Sequence, residues 1–411
     1  MSFPNSAIES LSDAATNRLA ERIRAATQQP QDQRPLLRVR GGGSKDFYGS
    51  NLDGEVLSTQ ELQGIVSYEP SELVVTVRAG TPLAELEAAL LEKNQCLPFE
   101  PPHFAQGKTT QATQATVGGM VAAGLSGPSR ATSGAVKDFV LGARFINGRG
   151  EHLTFGGQVM KNVAGYDVSR LLAGSWGTLG VITEVSLKVL AFAPSEATLM
   201  CGLPQDKALE LLHRWGGQPL PLNASCWVHD NTASPARDFL FVRLRGAVAA
   251  VQSALVRMRS DVEALNGDAA LMDNAQAGPD WAACREQQLP FFTQVPSPEA
   301  CLWRLSVPQT APVLELPASV QSGPLIEWHG AQRWVWAPVS AASALHTLAQ
   351  RAGGHATLFR RPNGALANQP RQAAIFPALD TVQQRIQSAL QEQCDPHGVF
   401  NTRRLNHAMP T

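Results

Sequence analysis

"LRVRGGGSKDFYG", Leu37 to Gly49, sets three glycines between an apolar run and a polar turn. Glycine lets backbone N–H groups approach a ligand closely and take positive φ, so such a loop suits a phosphate. It equally suits a plain connector. The common nucleotide motifs do not decide between the two. Gly41 begins no G-x-x-x-x-G-K-[ST], and a G-x-G-x-x-G reading fails because position 46 is Asp46. A phosphate held here belongs to some other fold.

Two further glycine-rich stretches lie downstream. In "TVGGMVAAGLSGPSR", Thr116 to Arg130, Thr116 reads as a helix cap with Gly118 and Gly119 in the first turns. The small residues permit close approach of a planar ligand or of another backbone, and a helix start offers N–H groups to an anion. In "VMKNVAGYDVSRLLAGSWGTLGVITEVSLKVL", Val159 to Leu190, Gly174, Gly177 and Gly180 recur every third residue just before a strand. A ring system could lie against that bare backbone. Tyr166-Asp167 reads as a site pair or as a tyrosine bonded to a structural aspartate.

The surroundings narrow the class. The chain has 411 residues, 44% hydrophobic and 17% charged, with a formal net charge of −1. That profile is globular, and the lack of a basic tract argues against a nucleic-acid partner. The N-terminus lacks the apolar core of a secretory signal, and no run reaches the roughly 18–20 apolar residues of a membrane span, so the expected location is cytoplasmic. The six cysteines are widely spaced with no C-x-x-C, which disfavours iron–sulfur clusters and zinc ribbons in this chain. There is no G-x-S-x-G or H-E-x-x-H, so common hydrolase chemistry is disfavoured as well.

Glycine and tryptophan divide the chain. Before residue 191 lie 22 of the 34 glycines, whereas seven of the eight tryptophans fall between Trp215 and Trp336. The seam is expected at Leu190–Leu199, giving a first domain over 1–194, a second over 195–375 and a return segment over 376–411. In the first, a helix is expected around Ile8–Ala26, a short strand at "PLLRV", and an alternating strand at "ELVVTVRAG". Thr81 and Pro82 are expected to start a helix with Leu83, Leu86 and Leu90 on one face. Two strands are expected to join at Asn147-Gly148, and "TEVSLKVL" closes the domain as an alternating strand. The second domain shows strands at "DFLFVRLRG", "CLWRLSVP" and "RWVWAPV", with a helix at "AVAAVQSALVRMRSDVEAL". A last amphipathic helix carries Val382, Ile386 and Leu390. The class is α+β.

The three glycine stretches in this order, with the closing "DPHGVFN" (Asp395 to Asn401), resemble the vanillyl-alcohol-oxidase, or p-cresol-methylhydroxylase, type of FAD-binding domain over about residues 10–192. The resemblance implies that Arg40, Gly41, Gly42, Gly43, Ser44 and Lys45 carry the FAD pyrophosphate. It implies further flavin contacts from Pro101, Thr116, Val117, Gly118, Gly119, Ser126 and Gly127. From the third stretch and the C-terminus it adds Gly165, Tyr166, Asp167, Gly177, Gly180, Val181, Ile182 and Arg404. Some members tether the flavin through histidine in R-x-G-G-H; here Ser44 holds that register, so non-covalent FAD is expected.

Finer detail, including "GGMVAAGLSGPSR" and "EWHGAQRWVW", resembles the FAD-binding subunits of glycolate oxidases. That family implies a second flavoprotein subunit, an iron–sulfur subunit and a small 2-hydroxy acid as substrate. It also allows a peripheral place at the inner face of a membrane through the complex. The chain departs from the pattern at the T-Q-A repeat before Thr116 and at "FNTRRL", where Thr402 and Arg403 replace Pro-Gly while Arg404 keeps the arginine register. Catalytic D-2-hydroxyacid dehydrogenases of the superfamily carry a metal segment H-x-G-D-G-N-x-H and a later N-E-H; neither occurs here, and no metal is expected. His229 reads as a surface or satisfied histidine. An independent D-lactate-type dehydrogenase and a flavin-free assembly subunit are the alternatives.

Overall fold

The computed structural model describes residues 5–49, 53–105, 114–157, 167–232, 234–361, 375–401 and 404–405. The chain divides into two compact units. The first comprises Met1–Ser126, Ala135–Phe192 and Leu379–Thr411, and the second Gly127–Gly134 and Ala193–Ala378.

The first unit contains β1 (Leu37–Arg40), β2 (Glu55–Ser58), β3 (Ile65–Glu69), β4 (Val74–Arg78), β5 (Gln95–Cys96), β6 (Val140–Ile146), β7 (His152–Gly156), β8 (Val181–Lys188) and β9 (Leu190–Ala191). β1 and β2 pair in parallel, and a five-stranded antiparallel sheet runs β3-β4-β8-β6-β7. One face of β4 and β8 joins the core: Val75, Val77, Val185 and Leu187 pack with Leu83, Leu86 and Leu90 of helix Leu83–Leu91 and with Met120 and Val121 of helix Val117–Ala123. The expected alternation is present, but neither face is solvated, because β4 is buried throughout and β8 up to Leu187. The polar face satisfies itself instead, with Thr76 bonded to Ser186 at 2.9 Å and Arg78 paired with Glu184 at 3.4 Å. A second cluster joins Leu19 and Ile23 of helix Asn5–Gln28 to Leu37, Leu57, Val399 and Phe400.

Two local expectations are corrected, and the expected last helix forms. Thr81 does not cap helix Leu83–Leu91: Pro82 is the cap residue, and the Thr81 hydroxyl accepts from the Gly64 amide at 3.0 Å. The β6–β7 hairpin turns over residues 147–151, closed by the Asn147 amide on the Glu151 carbonyl at 3.1 Å, and not in a two-residue Asn-Gly turn. Gly148 serves close packing, since its amide donates to the Cys394 carbonyl at 2.7 Å and a Cβ there would stand 2.4 Å from the Asp395 carboxylate. The last helix, Thr381–Cys394, buries none of its apolar stripe; Val382 and Ile386 are exposed. Its start is fixed without packing, through Asp380 accepting from the Val382 and Gln383 amides at 2.9 and 2.8 Å.

The second unit is built on β10 (Ser195–Gly202), β11 (Leu222–Asp230), β12 (Arg237–Gly246), β13 (Asp268–Leu271), β14 (Cys301–Ser306), β15 (Ser322–Glu327), β16 (Gln332–Ala337) and β17 (His355–Arg360). They form one antiparallel sheet in the order β13-β10-β12-β11-β15-β16-β14-β17. Helices Gln205–Gly216 and Val248–Glu263 cover one face through Leu211, Trp215, Ala254 and Met258 against Leu199, Trp227, Leu240 and Val242.

Candidate cofactor-binding groove

Strand β1 delivers the glycine loop to the edge of the first unit. Gly41, Gly42 and Gly43 lie against the segment before Thr116 with no room for side chains. A Cβ on Gly41 would stand 2.3 Å from the Thr116 hydroxyl, and one on Gly42 would stand 1.8 Å from the Gln114 carbonyl oxygen. Gly43 takes φ +78, favourable only for glycine, and bridges Gln114 in parallel register. The Gln114 amide donates to the Gly42 carbonyl at 3.3 Å, while the Gly42 and Gly43 amides reach no acceptor among the described residues. Those two N–H groups are the chemistry an anion needs.

Around the loop stand cations held by neutral groups and one carboxylate. Arg40 Nε pairs with Asp46 at 2.7 Å. Lys45 is buried, its ammonium 3.2 Å from the Ser44 hydroxyl and 3.3 Å from the His103 carbonyl oxygen. Arg404 is buried as well, donating to the Lys45 carbonyl at 3.0 Å and lying 5.4 Å from the Trp176 ring, which itself stacks on Tyr48 at 4.6 Å.

Helix Val117–Ala123 supplies the second wall. Thr116 caps it, accepting from the Gly119 amide at 3.2 Å. The Val117, Gly118 and Gly119 amides are already bonded within the protein. Val117 N–H donates to the Thr81 carbonyl at 2.9 Å and Gly118 N–H to the Ala79 carbonyl at 2.7 Å. Gly118 is needed for packing, because a Cβ there would stand 2.6 Å from that of Ala79. Gly119 is different: a Cβ would meet only the Thr116 hydroxyl, at 3.0 Å, so this position opens onto the groove.

The third wall is the turn before β8. Gly177 and Gly180 have φ +74 and +146, and Trp176 bonds the Ala122 carbonyl at 2.9 Å. The C-terminal segment locks this turn to β1: Asn401 accepts from the Val39 amide at 2.9 Å and donates to the Trp176 carbonyl at 2.8 Å. Asp395 shapes that segment by accepting from the Val399 and Phe400 amides at 3.0 and 2.9 Å. Burial pushes its carboxyl above the ordinary range, and those amide bonds oppose the shift.

One groove thus gathers Arg40, Gly41, Gly42, Gly43, Ser44, Lys45, Thr116, Gly118, Gly119, Gly177, Gly180, Ile182 and Arg404. Other expected residues are elsewhere. Val117 and Val181 are core, as their neighbours in the two hydrophobic clusters dictate, and Pro101 is buried off the groove lining. Asp167 caps helix Val168–Leu171 and pairs with Arg170 at 2.6 Å, which gives its carboxylate a structural use. Gly127 belongs to the second unit, where its carbonyl accepts from the Trp328 indole at 2.9 Å. Ser126 keeps a buried hydroxyl that has no partner among the described residues. Gly165 and Tyr166, like most of the T-Q-A repeat, lie outside the described residues. Asn401 and Trp176 are groove residues that the glycine pattern alone did not single out; the closing "FN" was the available signal for the first.

These features fit FAD: unaccepted amides for a pyrophosphate, buried cations beside them, and at Gly119 a wall position whose Cβ would enter the groove. A family profile described as an FAD binding domain matches residues 15–156. The fold is that of alkyldihydroxyacetonephosphate synthase, with a TM-score of 0.61 at 13% identity over 94% of this chain and 74% of that one. D-2-hydroxyglutarate dehydrogenase of Xanthomonas citri pv. viticola is 29% identical over 174 residues, 42% of this chain and 35% of that protein. Glycolate oxidase subunit GlcD of Bacillus subtilis (strain 168) is 29% identical over 163 residues, 39% of this chain and 33% of that protein. Glycolate oxidase subunit GlcE of Escherichia coli (strain K12) is 42% identical over 374 residues, which is 91% of this chain and 93% of the relative. Likeness of that extent places this chain in the glycolate oxidase subunit GlcE family of FAD-binding oxidoreductases.

Proposed function

We propose that the chain is the FAD-binding subunit of a glycolate-oxidising assembly, acting beside a second flavoprotein and an iron–sulfur subunit. The observation that carries this reading is its likeness, along nearly the whole length, to a glycolate oxidase subunit. FAD, when bound, supplies the acceptor for the electrons and α-hydrogen of a 2-hydroxy acid. The chain's residues do the holding. The Gly42 and Gly43 amides donate to the pyrophosphate, the Lys45 and Arg404 cations offset its charge, and Gly119 leaves space for the rest of the cofactor.

A cytoplasmic location and attachment to a membrane only through partners accord with the absence, among the described residues, of any helix long and apolar enough to cross a membrane. The chain is proposed to be accessory and not self-sufficient. His329 is occupied on both ring nitrogens, by Ser225 at 3.0 Å and Thr132 at 3.1 Å, and burial depresses it to about 4, which leaves a poor base at neutral pH. The test is dye-linked oxidation of glycolate and D-lactate by the FAD-loaded chain, alone and with its partner subunits. Turnover only in the assembly is the expected result. Equal turnover by the lone chain would replace this reading with an independent D-2-hydroxyacid dehydrogenase.

A further inference from the structure

The second unit contains a cavity of about 570 Å³, the size of a drug-like ligand's site, to which the flavin chemistry assigns no role. It lies on the sheet face opposite helices Gln205–Gly216 and Val248–Glu263, where helix Asn274–Arg285 brings Trp281 and Cys284 toward the strands. Phe241, Cys226 and Glu327 form one cross-strand row on β12, β11 and β15, with Cys226 opposite both others.

The floor of the cavity is chemically quiet. The Cys284 thiol donates to the Glu327 carboxylate at 3.2 Å, and that carboxylate also accepts from the Trp334 indole at 2.6 Å and the Gln332 amide at 3.0 Å. Bonding to Cys226, burial and the neighbouring Glu327 all push Cys284 well above the ordinary thiol range. The Cys284 thiol therefore stays protonated and acts as a soft apolar surface, not as a nucleophile. Among the described residues no group of three His, Cys, Asp or Glu side chains could hold a metal ion.

The walls and rim choose the ligand. Phe241, Trp281 and Phe291 offer three aromatic rings, and the Trp281 N–H is already spent on Thr198 at 3.0 Å, so its contribution is ring surface. The rim carries Asp230 and Asp280, and no lining residue is Lys or Arg. Arg243 stacks on Trp281 at 4.9 Å, but it is buried, bonded to Asn223, and does not line the cavity. His229, also on the rim, holds Asp238 through Nδ1 at 2.6 Å, which leaves Nε2 as the ring nitrogen open to a ligand. We infer that this cavity binds a planar aromatic molecule bearing a hydroxyl or amine donor and no negative charge. A small 2-hydroxy acid anion, with neither rings nor a cation to meet, is excluded from it.

The inference stands apart from the reading of the flavin groove, and its test does not measure turnover. Isothermal titration of the FAD-loaded full chain with 2-naphthol should give saturable binding. The carboxylate analogue 2-naphthoate should bind at least tenfold more weakly, because its carboxylate must enter a rim of aspartates. Asp280→Lys, at an exposed position, should strengthen naphthoate at least threefold and leave naphthol unchanged, while His229→Leu should weaken naphthol several-fold. Naphthoate binding as tightly as naphthol, no saturable naphthol binding, or an Asp280→Lys variant with unaltered preference would each overturn the proposal.

Discussion

At Gly42 and Gly119 the same substitution has opposite consequences. Alanine at Gly42 drives a methyl to 1.8 Å from the Gln114 carbonyl, so the loop and its neighbour must separate and the fold itself weakens. Alanine at Gly119 meets one hydroxyl at 3.0 Å, and replacing a helical glycine favours the helix by about 1 kcal/mol. Gly42→Ala should lower the melting temperature, whereas Gly119→Ala should hold or raise it and still retain FAD less well on dilution. Thermal melts with a flavin assay on each variant separate the two roles. The residue at the tethering register also has a readout. Ser44 offers no imidazole nitrogen to bond the flavin ring, so acid precipitation should leave FAD in the supernatant, and yellow colour kept by the washed pellet would contradict that. His329 sets a pH dependence. Its folded value, about 4, lies below the ordinary 6.5, so its stabilising contribution is complete above pH 6.5 and is lost as pH falls toward 4. The loss should approach ~1.4 kcal/mol per pH unit within that window. Because His329 sits at φ +55, His329→Asn tolerates the backbone and should flatten the slope of unfolding free energy against pH.

Among elements, the segment Asp395–Asn401 is the clamp. Asn401 ties β1 to the turn at Trp176, the two walls between which the glycine loop lies. Asn401→Ala removes both bonds and should cost about 2 kcal/mol in denaturant unfolding, with a parallel loss of flavin retention. Much of this architecture was legible in sequence. β1, the hairpin strands, the core stripe of Leu83, Leu86 and Leu90, and the long helix of the second unit follow from periodicity. What periodicity could not reveal were partnerships across the chain. Thr81 has the residue type of a cap, yet Gly64 takes its hydroxyl; Gly148 has the type of a turn, yet Asp395 needs its missing side chain. Gly118 and Gly119 are neighbours with identical signals, and only the position of Ala79 makes one packing and the other groove. The exposed stripe on helix Thr381–Cys394 shows the converse, since amphipathic spacing marks a face without saying what covers it.

For the whole molecule, the two units offer different chemistry. The first presents amides and buried cations suited to a dinucleotide pyrophosphate. The cavity beside Trp281 in the second presents aromatic rings, thiols and rim carboxylates, with no Lys or Arg in its lining. That division accords with an accessory subunit, in which flavin is held by one unit and the aromatic cavity of the other sets no Lys or Arg against substrate anions. The central claim is that the groove beside Gly119 holds FAD, and flavin stoichiometry measures it most directly. The purified wild-type chain should contain about one FAD per polypeptide. Gly119→Val, whose larger side chain enters the groove, should melt within a few degrees of wild type and contain less than about a tenth of that flavin. A folded Gly119→Val chain carrying stoichiometric FAD, or a wild-type chain that takes up none, would contradict the account.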